Sequence, residues 1–198
     1  MRSASLRPLA RAAVLALASL AAAGAAQAQS TIRPVLGFGL TGGGDRFATV
    51  EYEDGRTEDI RAGQFVYFYG GLTTELSPGI TLQGTVGYHT DSTNASNGSI
   101  KFVRFPFELL GHVQVHEQIR VGGGLRYVTG AKYTESGSLG GARINFGNTV
   151  GLVGEVEYLF SPQFGLKMRF AKEEYKASYP YAGTAKGDHI GFLMSFYL

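Results

Sequence analysis

The 198-residue chain contains no cysteine and no tryptophan, and only 17% of it is charged. Without cysteine there is no disulfide framework, no thiolate zinc site and no thiol nucleophile. A charged fraction below the roughly 25% of soluble domains, with 29 glycines at about twice ordinary usage, points away from a helical soluble enzyme. Past residue 28 no apolar run exceeds a few residues, whereas a membrane-spanning helix needs about 20. What the chain does hold is aromatic, 13 Phe and 11 Tyr, too much apolar surface for a disordered segment.

The formal charge of +2 would hint at an anionic partner if it were spread over the fold. It is not. Met1 to Arg11 carries Arg2, Arg7 and Arg11 with no acid, Ala12 to Ala23 is apolar apart from Ser19, and Ala26-Gln27-Ala28 follows. A basic start, a short apolar stretch and a small-x-small site predict a secretory signal peptide over 1–28, cut after Ala28. Residues 29–198 then carry 15 cations against 16 acids, so no nucleic-acid partner is expected.

That remainder alternates with period two from end to end and shows no sustained helical period. The apolar faces are Leu36, Phe38, Leu40; Val66, Phe68, Leu72; Ile80, Leu82, Val86, Tyr88; and Val103, Phe105, Phe107, Leu109, Val113. They continue as Ile119, Val121, Leu125, Tyr127; Val150, Leu152, Val156, Tyr158, Phe160; Phe164, Leu166, Met168, Phe170; and Ile190, Phe192, Met194, Phe196, Leu198. Eight segments of about 9 to 11 residues each suit tilted strands crossing a bilayer.

Their connections alternate as well. Ser77-Pro78-Gly79, His116-Glu117-Gln118 and Ser161-Pro162-Gln163 are short, while Gly42 to Gly63, Thr90 to Ser99, Thr129 to Asn148 and Lys176 to Gly187 read as long polar loops. Short turns on one side, long loops on the other and both termini on the short side make the layout of an eight-stranded antiparallel up-and-down transmembrane β-barrel in an outer membrane, with periplasmic termini. The first loop is expected to hold its own hairpin around Glu53-Asp54-Gly55-Arg56, since Asp-Gly favours a tight turn.

Register can be derived from the turns. Pairing around 161–163 sets Glu157 beside Lys167 and Glu155 beside Arg169, and pairing around 116–118 sets Glu108 beside Arg126, opposite charges on the polar face each time. These pairs are expected to fill the narrow lumen of an eight-stranded barrel. On the polar faces Arg104, Arg120, Arg126, Lys167 and Arg169 stand against Glu75, Glu108, Glu155, Glu157 and Glu173, a balance that predicts a neutralised plug over a porin-like channel. A periplasmic lipocalin-like carrier would carry the same alternation with its apolar face inward. The large Phe, Leu and Met residues on every apolar face, the glycine on the polar faces and the segregated loop lengths favour the membrane version.

The last segment adds a resemblance. His189-Ile190-Gly191-Phe192-Leu193-Met194-Ser195-Phe196 and the terminal Leu198 resemble the carboxyl-terminal assembly signal of outer-membrane barrels of the OmpA/OmpX-like class, with Gly191, Met194, Phe196 and Leu198 at its positions. The resemblance implies insertion by the outer-membrane assembly machinery of a Gram-negative envelope; outer-membrane lipid and lipopolysaccharide are the expected neighbours of the barrel, and a monomer is expected. It implies no single activity.

Catalytic chemistry has one candidate. His89, Asp91 and Ser92 are the residue types of nucleophilic acyl transfer, near the rim where a lipid A acyl-modifying enzyme would work. The plainer reading is turn-forming residues entering a loop, with His89 in the lumen opposite Tyr67. No metal or other cofactor is expected, because His112 and His116 lie on a strand ending in a turn and do not converge. Gly122-Gly123-Gly124 reads as wall, not as a phosphate loop. Pro106 inside a strand predicts a bulge. Tyr88, Tyr127, Tyr158 and Phe160 are expected to form the interfacial girdles that tryptophan would otherwise supply.

Overall fold

A computed structural model describes residues 32–51, 56–95, 98–137 and 141–198. The expected signal segment and the turn residues 53–55 lie outside the described residues. Among those described there are thirteen strands: β1 (Arg33–Gly43), β2 (Arg46–Glu51), β3 (Thr57–Arg61), β4 (Phe65–Ser77), β5 (Ile80–Ala95), β6 (Gly98–His116), β7 (Ile119–Gly137), β8 (Arg143–Asn145), β9 (Thr149–Ser161), β10 (Phe164–Lys172), β11 (Glu174–Lys176), β12 (Thr184–Lys186) and β13 (His189–Tyr197).

Eight of them form a closed antiparallel ring in the order β1, β4, β5, β6, β7, β9, β10, β13, with β13 returning to β1 through Val35 opposite Tyr197 and Gly43 opposite His189. Closure satisfies every strand edge, which an element surrounded by lipid requires. The ladder sets Lys167 opposite Glu157, Arg169 opposite Glu155, Glu108 opposite Arg126 and His89 opposite Tyr67.

Which face is apolar decides the solvent. Phe38, Phe68, Leu109, Leu125, Leu152, Met168 and Phe192 are all 44 to 60% exposed on the outside of the wall. Arg104, Arg126, Lys167 and Arg169 are buried within it. A soluble carrier has the reverse arrangement. On β6 the outward apolar residues run from Phe105 to Val115, which at about 3.4 Å per residue and about 40° of tilt spans roughly 25 Å, the height of an outer-membrane apolar band. The expected aromatic positions split between the two rims. Tyr88 packs on Phe105 at 5.6 Å near Tyr127, and at the short-turn end Tyr158 packs on Phe160 at 4.9 Å.

Two expectations change. Residues 90–95, 98–99 and 129–137 are not loop: β5, β6 and β7 continue as a paired ladder up to Ala95, Gly98 and Gly137. There the inward positions Ile100, Phe102, Ala131 and Tyr133 are buried. Burial on the inner face, where lower down the chain places charge, keeps the strands going. The irregularity near Pro106 lies one step away from it. Pro106 keeps its place opposite Val128, and the register shifts between Val103 and Phe105, where Arg104 faces the two residues Gly130 and Ala131. Gly130 has φ +61°, a conformation that costs glycine little. The extra residue therefore sits on β7, where glycine can take it, and not on the proline strand.

Above the ring the first connection forms the β2–β3 hairpin, with Thr49 opposite Asp59 and Glu51 opposite Thr57. The hairpin folds over the barrel mouth. Arg61 donates its backbone N–H to Asp91 at 2.8 Å, the Thr93 hydroxyl donates to Glu58, and Asp45 and Lys186 exchange bonds of 2.7 and 2.8 Å.

Candidate functional site: the lumen and its cap

One wall of the barrel, β6, β7, β9 and β10, supplies charge to the lumen. Arg169 lies at its centre. Its Nη1 donates to both oxygens of Glu108 at 3.0 Å, and its Nε and Nη2 donate to Glu155 at 2.9 and 2.6 Å. Arg126 donates to Glu108 at 2.5 Å and to Glu173 at 2.8 Å. Lys167 donates to Glu155 at 2.7 Å and stands 3.9 Å from Glu157, its ladder partner. Glu157 is engaged instead by Arg120 at 2.5 Å and by the Tyr197 hydroxyl at 2.7 Å. Each carboxylate is shared between two or more donors, which compensates burial in a way an isolated pair does not.

The opposite wall, β4, β1 and β13, supplies tyrosine rings against which the cations lie. Arg126 and Arg169 sit 5.3 and 5.5 Å from the Tyr67 ring, Lys167 sits 5.8 Å from Tyr69, and Arg120 sits 4.7 Å from Tyr197. A desolvated cation over an aromatic face gains electrostatically, so the rings offset part of the cost of burying charge. They need room to lie down. At Gly37 an added Cβ would fall inside the Tyr69 ring, which is why a barrel of this width carries glycine on its polar faces.

Glu75 does not belong to this set. It is exposed at the short-turn end, where it accepts the Gly79 N–H at 3.1 Å. The lumen therefore holds the five cations with four glutamates, and with Asp91 toward the mouth, 2% exposed. Arg104 is the cation that Glu75 leaves over. It stands 3.8 Å from Glu173 and donates to His89 at 2.9 Å.

Sequence reasoning missed the tyrosine tier and His112. Tyr67 and Tyr69 stood on the polar parity of their strand, and that parity was the available signal. His112 contacts Glu155 at 2.7 Å, nowhere near the exposed His116. Among the described residues no cluster of three His, Cys, Asp or Glu side chains could hold a metal ion.

The structure does not assemble the acyl-transfer set. His89 and Asp91 are buried on the inner face, His89 against Thr41 at 2.8 Å and Arg104, while Ser92 is on the outer face opposite Lys101. Alternation along one strand keeps Ser92 away from both partners. At the carboxyl end Gly191 faces inward beside Thr41, and Met194, Phe196 and Leu198 face outward, with Phe196 packed on Phe164 at 5.3 Å.

A cap of different character closes the mouth. Phe102, Phe146, Tyr133 and Tyr175 of the ring and its connections bury with Ile60 of the hairpin, and Phe47 inserts at 4.8, 5.5 and 5.6 Å from the Phe102, Tyr133 and Phe146 rings. The lumen is thus charge below and aromatic packing above.

The family profile described as outer membrane protein beta-barrel domain matches residues 12–192. Among solved structures the fold is similar to Ail, the attachment invasion locus protein of Yersinia pestis, in complex with the heparin analogue sucrose octasulfate. That likeness has a TM-score of 0.57 at 13% identity and covers 86% of this chain and 99% of that one. Neisserial surface protein A is similar at a TM-score of 0.50 and 8% identity, over 85% of this chain and 99% of that one. At these identities the likeness is one of fold. The search of curated proteins finds no match.

Proposed function

The chain belongs to the outer-membrane β-barrel family, and from that premise we propose that it is a non-enzymatic surface barrel with a sealed lumen, whose outer cap and loops make contact with envelope or host components. The observation that carries this reading is Arg169, held by four bonds to Glu108 and Glu155 across the middle of the lumen. A side chain tied to both glutamates narrows the lumen at its middle, and the aromatic cap above adds a second barrier, which supports a sealed interior. Absence of catalysis is supported by Ser92 pointing to the opposite side from His89 and Asp91.

Residues 1–28 act as the cleaved export signal and both mature termini face the periplasm. The outward row of Met194, Phe196 and Leu198, with Gly191, docks on the outer-membrane assembly machinery, and the barrel works as a monomer among lipid and lipopolysaccharide. The heparin analogue bound by the Ail neighbour makes a sulfated host glycan one reasonable contact for the loops.

The test combines planar-bilayer conductance of the folded barrel, identified by its heat-modifiable gel mobility, with mass spectrometry of lipid A from cells with and without the gene. Silent bilayers and unchanged lipid A are expected. Sustained conductance steps would overturn the sealed lumen. Altered acylation that disappears in Ser92→Ala would overturn the non-enzymatic reading.

A further inference from the structure

Above the apolar band the wall turns a basic patch sideways. The ladder puts Ser92, Lys101, Thr134 and Arg143 in one row across β5, β6, β7 and β8, and puts Lys132 beside Asn145 in the row below. All six face outward, because their neighbours Asp91, Phe102, Tyr133 and Phe146 are the buried ones. None of the three cations forms an ion pair with a carboxylate among the described residues. Lumen cations are held by glutamates, and Arg46 and Arg61 of the hairpin by Asp59, while Lys172, Lys176 and Lys186 on the far side of the mouth also form no ion pair among the described residues. Here three stand together, separated by hydroxyl and amide groups.

Height identifies what they meet. Lys101 is four residues beyond Phe105 on β6, about 10 Å above the edge of the apolar band, and its Nζ lies 5.9 Å from the Tyr88 ring of the outer girdle. That depth is the headgroup layer of the outer leaflet. A soluble glycan would reach the loop tips first, whereas these side chains point along the wall into the surrounding lipid. We propose that Lys101, Lys132 and Arg143, with Thr134 and Asn145 between them, bind the phosphate groups of an outer-leaflet glycolipid, whose acyl chains lie against the apolar wall below. Lysine and arginine over a headgroup layer attract anionic lipid, and hydroxyl and amide donors complete the shell around a phosphate oxygen.

The inference rests on the orientation proposed above, with the long connections at the cell surface, and the experiment separates the two. The full chain is placed in phosphatidylcholine nanodiscs doped with bisphosphorylated lipid A or with the same lipid enzymatically dephosphorylated, and bound glycolipid is read by native mass spectrometry. The wild type should retain the phosphorylated form. The triple variant Lys101→Gln, Lys132→Gln, Arg143→Gln should lose about 100-fold in apparent affinity at low salt, with unchanged heat-modifiable mobility. Equal retention by the triple variant, or equal retention of the dephosphorylated lipid by the wild type, overturns the site. Displacement by inorganic phosphate or sucrose octasulfate at the concentration of the lipid overturns the lipid as ligand. Because the chain has no cysteine, Tyr179→Cys, 96% exposed in the wild type, reports orientation when an impermeant maleimide is added to intact cells. Labelling with failed lipid retention condemns the patch alone, and absence of labelling condemns the orientation and the patch with it.

Discussion

Within single strands the barrel is two proteins laid end to end. On β6 the outward residues Phe107 and Phe105 are apolar while Glu108 and Arg104 point inward, charged and buried. A few residues further on, Lys101 is outside and Phe102 and Ile100 are inside. The apolar parity flips, from odd positions to even, as the surroundings change from hydrocarbon to hydrated headgroups and the water above them. On β7 the same exchange happens across the Gly130 bulge, with Leu125 and Tyr127 outward below it and Ala131 and Tyr133 inward above it. The lower half has no apolar interior to gain, since lipid is as apolar as any core, and is held inside by charge and tyrosine. The upper half sits in water and is held by burial of apolar surface. Sheet geometry is shared, and solvent chooses which face carries which chemistry.

The largest effect should come from breaking the lower half at its centre. Arg169→Leu removes four bonds and leaves the lumen one buried cation short, with Glu108 held by Arg126 and Glu155 by Lys167 and His112, a loss of about 3 kcal/mol. Urea titration in detergent micelles, read by gel mobility, should show a lower midpoint, and a midpoint equal to the wild type would refute the network's structural role. Next comes the upper half. Phe102→Ala removes the ring that meets Phe47, Phe146 and Tyr175, at a cost of about 3 kcal/mol. Because the cap lies above the ring of strands, its loss should appear as faster proteolysis of the β2–β3 hairpin while the barrel keeps its mobility. Global unfolding at the same urea concentration as Arg169→Leu would show that the two halves are one unit.

A smaller effect sharpens the comparison by moving one charge between the two solvents. Leu109→Arg on the lipid face, 55% exposed there, should cost about 2 kcal/mol even after the side chain snorkels toward an interface. Thr134→Arg, outward on the adjoining strand but above the band, should cost no more than about 1 kcal/mol, the like-charge repulsion from Lys101 and Arg143 opposite it. Equal penalties at the two sites would mean that the boundary between lipid and water is misplaced.

The lower half was legible in the sequence because its apolar parity is constant. Eight apolar faces, three short turns and the charge register follow from counting by two, and the ladder pairs Glu108 with Arg126 and Arg169 with Glu155 as the turns require. The upper half was not legible for the same reason. Once Phe102 takes the inward position, a pattern anchored on Phe105 ends, and Asp91, Ser92 and Gly98 then read as loop. Glu75 was assigned to the lumen on parity alone, yet it lies beside a turn, where the wall ends and water begins. Tyr67 and Tyr69 shared the parity of charge, but no pattern in one strand tells that their rings lie under cations from the opposite wall.

The smallest effect is electrostatic and belongs to the hairpin, whose polar pins stand in water where those of the lumen do not. Asp59 accepts the Thr49 hydroxyl at 2.7 Å and Arg61 at 2.8 Å, with Arg46 at 3.6 Å. The Thr49 hydrogen bond, followed by these cations, holds its carboxyl below the ordinary value of 3.8. A carboxyl whose folded value is depressed contributes at pH above its unfolded value and loses that contribution as pH falls through the folded one. The hairpin should therefore be intact near neutrality and loosen only as pH drops below about 4, exposing Phe47 beside it. An acid protease at about pH 5 and about pH 3 should cut β2–β3 faster at the lower pH, beyond the enzyme's own pH dependence on an unfolded peptide of the same sequence. Thr49→Val removes the largest cause of the shift and should flatten that difference while leaving the barrel untouched. An equal acceleration in wild type and Thr49→Val would mean that acid opens the cap from below, through the buried network, and not from the hairpin.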